Sequence, residues 1–336
     1  MKMKAIALIS GGLDSILAAR MVQEQGIEVI PLHFKIPFCH RAKRSSSPEA
    51  RVVSLVQHAL SSPARIIDEG NAFLPLLENP RHGFGSGANP CIDCKILMLR
   101  TARKLLEEWG AGFVITGEVL GQRPMSQHRR ALGTIERESG LDGLLLRPLC
   151  AHCLPETIPE KEGWVARSRL LGFSGRGRRQ QMALAEQFNI RDYPNPAGGC
   201  LLTDRVFSRR IRDLLRYDAL TLENVELLKA GRHFRINGAL KLVVGRDEEE
   251  NNFLESMALP GDLAFYPPED IAGPCALARG RMDEESLSLC CRITCFYCDA
   301  SDAPELAITH RTMPGTKEGI LKVPRAEKGL LKSLAI

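Results

Sequence analysis

Long apolar runs are missing from this sequence, and aromatic residues are scarce. The sequence has 336 residues, and no run of apolar residues in it approaches the roughly 18–20 that a membrane-spanning helix needs. The apolar run at residues 5–10 is too short for the core of an export signal and is followed by Gly11 and Gly12. We therefore expect a cytoplasmic chain with no membrane partner. Aromatic residues make up 5% of the sequence, so stacking on aromatic rings is not an obvious mode of binding.

Neither sign of charge is in large excess, and the charges are unevenly placed. The formal net charge is +5, so the total does not by itself predict a polyanionic partner. Residues 167–179 nevertheless contain five arginines and no acid, and residues 205–216 contain five arginines with Asp213 as the only acid. Each run is typical either of a solvated helix face or of a basic stripe for a polyanion. The sequence alone leaves both interpretations open.

The eleven cysteines do not predict a disulfide framework. Their number is odd, the chain is long and we recognise no export signal, whereas disulfide frameworks belong mainly to small exported domains. Thiol chemistry or metal binding is the better expectation.

Strand and helix patterns alternate in the first part of the chain. Strands are expected at residues 4–9, 27–34, 64–67, 113–116 and 144–146, and helices at residues 13–25, 48–60 and 91–109. Such alternation predicts an α/β fold with a parallel, Rossmann-like sheet that carries helices on both faces. Short strands dominate after about residue 218, which predicts a smaller C-terminal α+β domain. We expect the first domain at residues 1–205, a helical linker at 206–225 and the second domain at 226–336.

Residues 10–15, with the sequence SGGLDS, lie between the first strand and the first helix. Gly11 and Gly12 let the backbone approach an anion, the helix N-terminus attracts it, and Ser10 and Ser15 add hydroxyl donors. Asp14 would repel phosphates unless a cation bridges them, which indicates Mg²⁺. The alternative is a plain helix start, with Ser10 as the N-cap and Asp14 as a first-turn acid. The complete motif in this context favours a phosphate loop.

SGGLDS resembles the pyrophosphate loop, SGGxDS, of the PP-loop ATP pyrophosphatase superfamily. The resemblance implies the adenine nucleotide alpha hydrolase (HUP) fold and an enzyme that cleaves ATP between its α and β phosphates. Such enzymes adenylate a carbonyl oxygen, and a nucleophile then displaces AMP. The motif does not choose among the amidating, sulfurating and other members of the superfamily.

Further motifs point to one family within this superfamily. They are ITGEVLGQ at residues 115–122, SQ at 126–127, LLLRPL at 144–149 and KILMLR at 95–100. On chemistry alone the first could be an ordinary turn between a strand and a helix. Together they resemble the TGExLGQ, SQ, LRPL and KxxMLR series of the tRNA 4-thiouridine synthase (ThiI) family, over roughly residues 4–205.

The family resemblance implies an ATP-dependent tRNA sulfurtransferase that adenylates a uridine carbonyl oxygen and replaces it with sulfur, with 4-thiouridine favoured. The alternatives are a tRNA 2-thiouridine synthase and a PP-loop enzyme that inserts sulfur or nitrogen into a small molecule. The catalytic residues are then expected to be Asp14, Cys200 and Cys94. The expected nucleotide-binding residues are Leu8, Ile9, Ser10, Gly11, Gly12, Ser15, Lys95, Gly117 and Gln127.

Three cysteines form a candidate metal or sulfur site. Cys91 and Cys94 open a helix in CxxC spacing, where the helix dipole favours thiolate, and Cys200 follows a Gly-rich segment. The pair could be a redox pair, half of a zinc site, part of an iron–sulfur site or simply buried thiols. With Cys200 as third ligand the set resembles cluster-dependent tRNA thiolases, whose [4Fe–4S] cluster leaves one iron open. A persulfide relay on one cysteine is the alternative.

Two other CxxC pairs, Cys150 with Cys153 and Cys295 with Cys298, would suit a zinc site by spacing alone. They are far apart in the sequence and fall in different expected domains. We interpret both pairs as incidental.

The C-terminal part carries an Asn237-Gly238 hairpin signal, a GRxxxxN element at residues 245–251 and Pro260-Gly261 before a strand. This pattern resembles the NFACT-R RNA-binding domain; an anonymous α+β cap is the alternative. The N-terminal RNA-binding domain and the rhodanese domain found in the ThiI family are not recognisable here. We therefore expect tRNA to be bound through phosphate contacts of this second domain. The sulfur donor is expected to be sulfide or the persulfide of a cysteine desulfurase.

Overall fold

The computed structural model describes residues 2–38, 48–191, 193, 200–299, 303–315 and 317–336. The chain divides into two compact units, Met1–Thr203 and Asp204–Ile336. No helix in the described ranges is both long and apolar enough to cross a membrane.

The first unit is built on a five-stranded parallel sheet with the strand order β3-β2-β1-β4-β5. Its strands are β1 (Lys4–Leu8), β2 (Glu28–Lys35), β3 (Arg65–Asp68), β4 (Phe113–Thr116) and β5 (Leu145–Leu146). Its helices are α1 (Leu13–Gln23), α2 (Pro48–Leu60), α3 (Gly70–Phe73), α4 (Pro75–Glu78), α5 (Cys91–Glu108), α6 (Arg129–Ser139), α7 (Ile158–Lys161) and α8 (Arg179–Gln187). Short 3₁₀ segments lie at Pro148–Cys153, Arg167–Arg169 and Leu201–Thr203.

Alternate residues of β1 enter two separate hydrophobic cores. Ala5 and Ala7 pack with residues of α1, α2 and α8, whereas Ile6 and Leu8 pack with residues of α5 and α6. Because side chains alternate along a strand, this division means that both faces of the sheet are covered. The expected α/β fold is confirmed.

The second unit contains a six-stranded antiparallel sheet with the order β11-β10-β8-β9-β7-β6. Its strands are β6 (Arg232–Asn237), β7 (Leu240–Val244), β8 (Leu263–Tyr266), β9 (Ala276–Gly280), β10 (Glu305–Thr312) and β11 (Glu318–Pro324). Its helices are α9 (Arg205–Tyr217), α10 (Leu222–Leu227), α11 (Glu248–Ser256), α12 (Glu284–Phe296) and α13 (Lys328–Leu334). The hairpin expected at Asn237-Gly238 joins β6 to β7, and the expected α+β domain is confirmed.

The expected linker at residues 206–225 is occupied by α9 and α10. Asp204 caps α9, since its carboxylate accepts a hydrogen bond of 2.8 Å from the amide of Phe207. The side chains of Phe207, Ile211 and Leu214 are buried, so one face of α9 is packed. Both helices group with the second unit rather than standing apart as a linker.

Candidate active site

The strand order of the parallel sheet has its topological switch point beside β1. Strands β2 and β3 follow on one side of β1, and β4 and β5 on the other, which is the topological arrangement that places ligands at the carboxyl edge of an α/β sheet. Leu8 ends β1 opposite Thr116, the last residue of β4. Both backbone polar groups of Ile9 already have partners within the protein. Its amide donates a hydrogen bond to the carbonyl of Leu32, and its carbonyl oxygen lies 2.8 Å from Nδ1 of His33; the first distance is also 2.8 Å. The loops after β1 and β4 therefore leave the sheet side by side.

The loop after β1 turns at Gly11 and Gly12 and is held by hydrogen bonds of its two serines. Gly11 has a φ of +79°, and a Cβ there would come within 3.0 Å of the side chain of Val52. Gly12 is the N-cap of α1 and supplies no side-chain cap, whereas a plain helix start would have placed Ser10 there. Ser15 Oγ instead accepts from the amide of Ser10 at 3.2 Å and donates to the carbonyl of Gly12 at 2.8 Å. The two serines thus hold the turn, and the α1 N-terminus lies at its end.

Gly117 brings the loop after β4 directly onto the start of α1. A Cβ at Gly117 would lie 2.4 Å from the carbonyl carbon and oxygen of Asp14 and from the amide nitrogen of Ser15. These atoms are main chain and cannot rotate away, so only glycine permits this contact. The residue was predicted as a nucleotide contact; its role in the described fold is to join the two loops.

Asp14 and Gln122 form the polar centre of this edge. Gln122 Nε2 donates a hydrogen bond of 2.9 Å to Asp14 Oδ2. The other oxygens, Asp14 Oδ1 and Gln122 Oε1, are buried and have no hydrogen-bond partner among the described residues. A carboxylate and an amide oxygen are the ligand types that Mg²⁺ prefers. The pair therefore fits the magnesium ion expected from the sequence.

A buried ion pair behind this centre was not singled out by sequence reasoning. Glu118 accepts hydrogen bonds from Thr116 Oγ1 at 3.1 Å and Arg147 Nε at 3.0 Å, and Arg147 also binds Glu136 at 2.8 Å. Burial opposes ionisation of Glu118, but the charges of Arg147 and Lys95 outweigh it and hold the pKa of this carboxyl below its usual range. The sequence feature that could have predicted this ion pair is Arg147, which directly follows the apolar run at residues 144–146. An arginine buried beside such a strand needs an acidic partner.

Gln127 stabilises the loop that carries Gln122. Its carbonyl accepts from the amide of Gly121 at 2.7 Å, and its side-chain oxygen accepts from the amide of Arg123 at 3.1 Å. Gln127 is buried, so its polar atoms shape the loop. The predicted contacts of Lys95 and Gln127 with a nucleotide stay predictions.

The segments that carry the candidate cysteines run past one another. The amide of Ala88 donates to the carbonyl of Leu202 at 2.9 Å, which places the chain after Cys200 beside the chain before Cys91. Cys91 Sγ accepts a hydrogen bond of 3.1 Å from the side-chain amide of Asn89. The backbone segments next to Cys91 and Cys200 are therefore neighbours in the fold.

The three sulfur atoms do not form an assembled ligand set. Over the described ranges, no three Cys, His, Asp or Glu side chains are placed so that they could hold a metal ion. The Cys91 thiol is instead bound by its neighbour Asn89, and the Gly-rich segment at 194–199 lies outside the described residues. As placed, Cys91, Cys94 and Cys200 do not fit a [4Fe–4S] cluster.

The two other CxxC pairs behave as packed thiols. Cys150 is fully buried and donates to the carbonyl of Glu118 at 3.2 Å, and burial raises its pKa to about 11. Cys153 Sγ lies 3.4 Å from a carbonyl oxygen. Cys295 and Cys298 are buried, and burial raises the pKa of Cys298 to about 11. The incidental role of these two pairs stays a prediction.

Comparison with known families assigns a likeness to each unit. Residues 1–156 match the family model described as thiamine biosynthesis protein (ThiI). The first unit is ThiI-like. Residues 231–333 match the model of the NFACT protein RNA binding domain, so the second unit is NFACT-R-like over most of its length.

Curated relatives match part of this chain. A probable tRNA sulfurtransferase of Thermococcus kodakarensis is 26% identical over 121 residues, which are 35% of this chain and 30% of the relative. A probable tRNA sulfurtransferase of Halobacterium salinarum is 30% identical over 138 residues, 40% of this chain and 33% of the relative. The chain thus spans about a third of the length of these relatives. A solved 4-thiouridine synthetase–RNA complex with bound ATP matches at 19% identity and a TM-score of 0.40, covering 67% of this chain and 52% of that one.

Proposed function

We propose that the protein is an ATP-dependent tRNA sulfurtransferase that converts a uridine to 4-thiouridine. The observation that carries the proposal is the phosphate loop beside the Asp14–Gln122 pair, whose two buried acceptor oxygens have no partner in the described part of the chain. The match of residues 1–156 to ThiI and the names of the curated relatives support it. An enzyme that uses ATP and tRNA belongs in the cytoplasm.

In the first step the uridine O4 forms a bond to the α phosphorus of ATP, and pyrophosphate leaves. The N-terminus of α1 and the backbone amides around Gly11 and Gly12 would hold the departing phosphates. Asp14 and Gln122 would hold Mg²⁺, which when bound supplies positive charge to the phosphate oxygens. Lys95, whose charge acts on Glu118, would add a second cation at the same edge.

In the second step sulfur replaces the activated oxygen. Hydrosulfide adds to C4 of the uridine, the C4–O4 bond breaks, and AMP leaves with the oxygen and a proton is released. If the donor is instead a persulfide on Cys200 or Cys94, its terminal sulfur bonds to C4, and a second thiolate must then cleave the sulfur–sulfur bond and form a protein disulfide. Since the cysteines as placed do not fit a cluster, neither route includes one.

The NFACT-R-like unit would supply the contact with tRNA. Its family model is that of an RNA-binding domain, and the chain has few aromatic residues. Lysine and arginine contacts to phosphates are then the main source of affinity.

The test is to incubate the protein with ATP, Mg²⁺, sulfide and unmodified tRNA transcript, and to measure AMP, pyrophosphate and nucleosides. We expect tRNA-dependent AMP release and 4-thiouridine in the digested tRNA by mass spectrometry. The appearance of 2-thiouridine would replace the proposed product. AMP release that is unchanged when tRNA is omitted would contradict a tRNA substrate and favour a small-molecule enzyme.

A further inference from the structure

Four arginines of α9 lie on one exposed face of the helix. They are Arg205, Arg209, Arg212 and Arg216, and the side chains of all four are exposed. With about 100° of rotation per residue, their positions fall within an arc of about 60°. With about 1.5 Å of rise per residue, the row is about 17 Å long. We call these four residues the α9 arginine face.

The remaining charges of α9 are turned inward and are compensated. Arg210 is buried and donates to the carbonyls of Leu228 at 2.6 Å and Gly231 at 2.9 Å. Asp213, the only acid within the helix, is bound by Arg235 at 2.5 Å. Asp213 and Arg210 of α9 therefore stabilise the packing of the helix, whereas its other four arginines are exposed.

Three members of the α9 arginine face have no acidic partner in the described ranges that would explain them as packing residues. In the part of the chain that the structure describes, Arg205, Arg209 and Arg216 make no ion pair with an acid, although Arg216 lies 5.2 Å from the ring of Tyr217. Four like charges in a row repel one another and lower the stability of a free helix. A row of this kind is favourable when a polyanion lies along it.

The first two arginines of the other arginine run, at residues 167–179, show the contrasting case. Arg167 pairs with Glu160 at 2.5 Å and donates to two backbone carbonyls, and Arg169 donates to the carbonyl of Glu24 at 3.1 Å. These arginines hold loops of the first unit together. Of the two runs, the second is the one that presents a regular, outward row.

We infer that the α9 arginine face binds the phosphate backbone of the RNA substrate. The inference rests on the proposed function, since it takes RNA as the polyanion. It adds a contact surface outside residues 1–156 and 231–333, the segments that the two family models cover. Guanidinium groups bind phosphate oxygens in a bidentate manner, and backbone contacts of this kind position the RNA without reading its sequence.

The experiment measures binding of the full chain to fluorescein-labelled unmodified tRNA transcript across a series of KCl concentrations. The variant carries Arg205→Gln, Arg209→Gln and Arg216→Gln. The control carries Lys104→Gln, Arg137→Gln and Lys161→Gln, three exposed cations of the first unit, so both proteins lose the same charge. A plot of the logarithm of the association constant against the logarithm of salt concentration has a negative slope. Loss of three phosphate contacts should reduce the magnitude of this slope by about 2 to 3 and weaken binding about tenfold or more at moderate salt.

The control should keep the salt dependence of the unaltered protein. Neither variant should unfold at a lower temperature than the unaltered protein, because the changed side chains are exposed and the arginine variant loses like-charge repulsion along α9. An unchanged slope in the arginine variant, or an equal fall in the control, would overturn the inference. The unaltered protein must still bind tRNA and release AMP in a tRNA-dependent manner for the proposed function to stand. A lowered slope without tRNA-dependent AMP release would support the α9 arginine face and refute the proposed function.

Discussion

Two partly buried polar groups, one in each unit, differ in how many of their hydrogen bonds are made. In the second unit Arg235 donates four hydrogen bonds of 2.5–3.1 Å to Asp213 and Asp218. In the first unit Asp14 and Gln122 share one hydrogen bond, and a buried oxygen of each has no partner in the described ranges. A buried acceptor without a partner costs about 1–3 kcal/mol. The comparison separates a polar group that stabilises the fold from one that we propose is arranged for a ligand.

The largest expected effect comes from Asp14→Ala. Removal of the carboxylate should lower tRNA-dependent AMP release by about 100-fold or more, because charge stabilisation on the transferring phosphate would be lost. The unfolding temperature should stay the same or rise slightly, since an unsatisfied buried oxygen is removed. Radiolabelled ATP and a thermal unfolding curve measure both quantities. Full AMP release by the variant would exclude Asp14 from catalysis.

The matching change in the second unit is Arg235→Met, which should act on stability instead of chemistry. It leaves Asp213 and Asp218 partly buried, with Lys241 at 3.6–4.0 Å as the remaining cation. We expect the second unit to lose about 3 kcal/mol of unfolding free energy, measured by urea denaturation. ATP binding by the first unit should not change. A variant as stable as the parent would show that this network contributes little.

The smallest effect is expected for Gln122→Leu. This change removes the donor to Asp14 Oδ2 and one of the two acceptor oxygens but keeps the negative charge. We expect the Mg²⁺ concentration for half-maximal AMP release to rise about tenfold, and the binding of Mg²⁺-ATP measured by calorimetry to weaken in parallel. Gln122→Glu restores an acceptor oxygen and should recover part of the Mg²⁺ affinity. If both variants keep the parent's Mg²⁺ dependence, Gln122 neither binds Mg²⁺ nor positions Asp14 for it.

Local sequence patterns were sufficient for most elements of the first unit and for the position of the SGGLDS loop between β1 and α1. The strand periodicity and the SGGLDS motif are properties of neighbouring residues, so the order of β1, the loop and α1 could be predicted. The hydrogen bond between Gln122 and Asp14 could not, because it joins residues that are 108 positions apart and depends on strand order. Helix α6 was also missed, because only Ala131, Leu132 and Ile135 of its eleven residues are apolar, although they lie on one buried face.

The cysteine prediction shows the limit of spacing arguments. CxxC spacing at a helix start is compatible with several kinds of site, and a third ligand more than a hundred residues away is fixed by tertiary packing. The backbone contact between Ala88 and Leu202 brings the segments together, but sulfur positions depend on side-chain partners such as Asn89. Sequence reasoning could identify the segments and could not place the thiols.

The contact at Gly117 has a consequence for redesign of this protein. The atoms that any added side chain would meet there belong to the main chain of Asp14 and Ser15, so repacking of neighbours offers no relief. A library that varies the loop after β4 to change the accepted nucleotide or acceptor base should therefore keep residue 117 fixed. Gln122 meets Asp14 through side chains alone, so a substitution there would alter the polar centre without moving the helix.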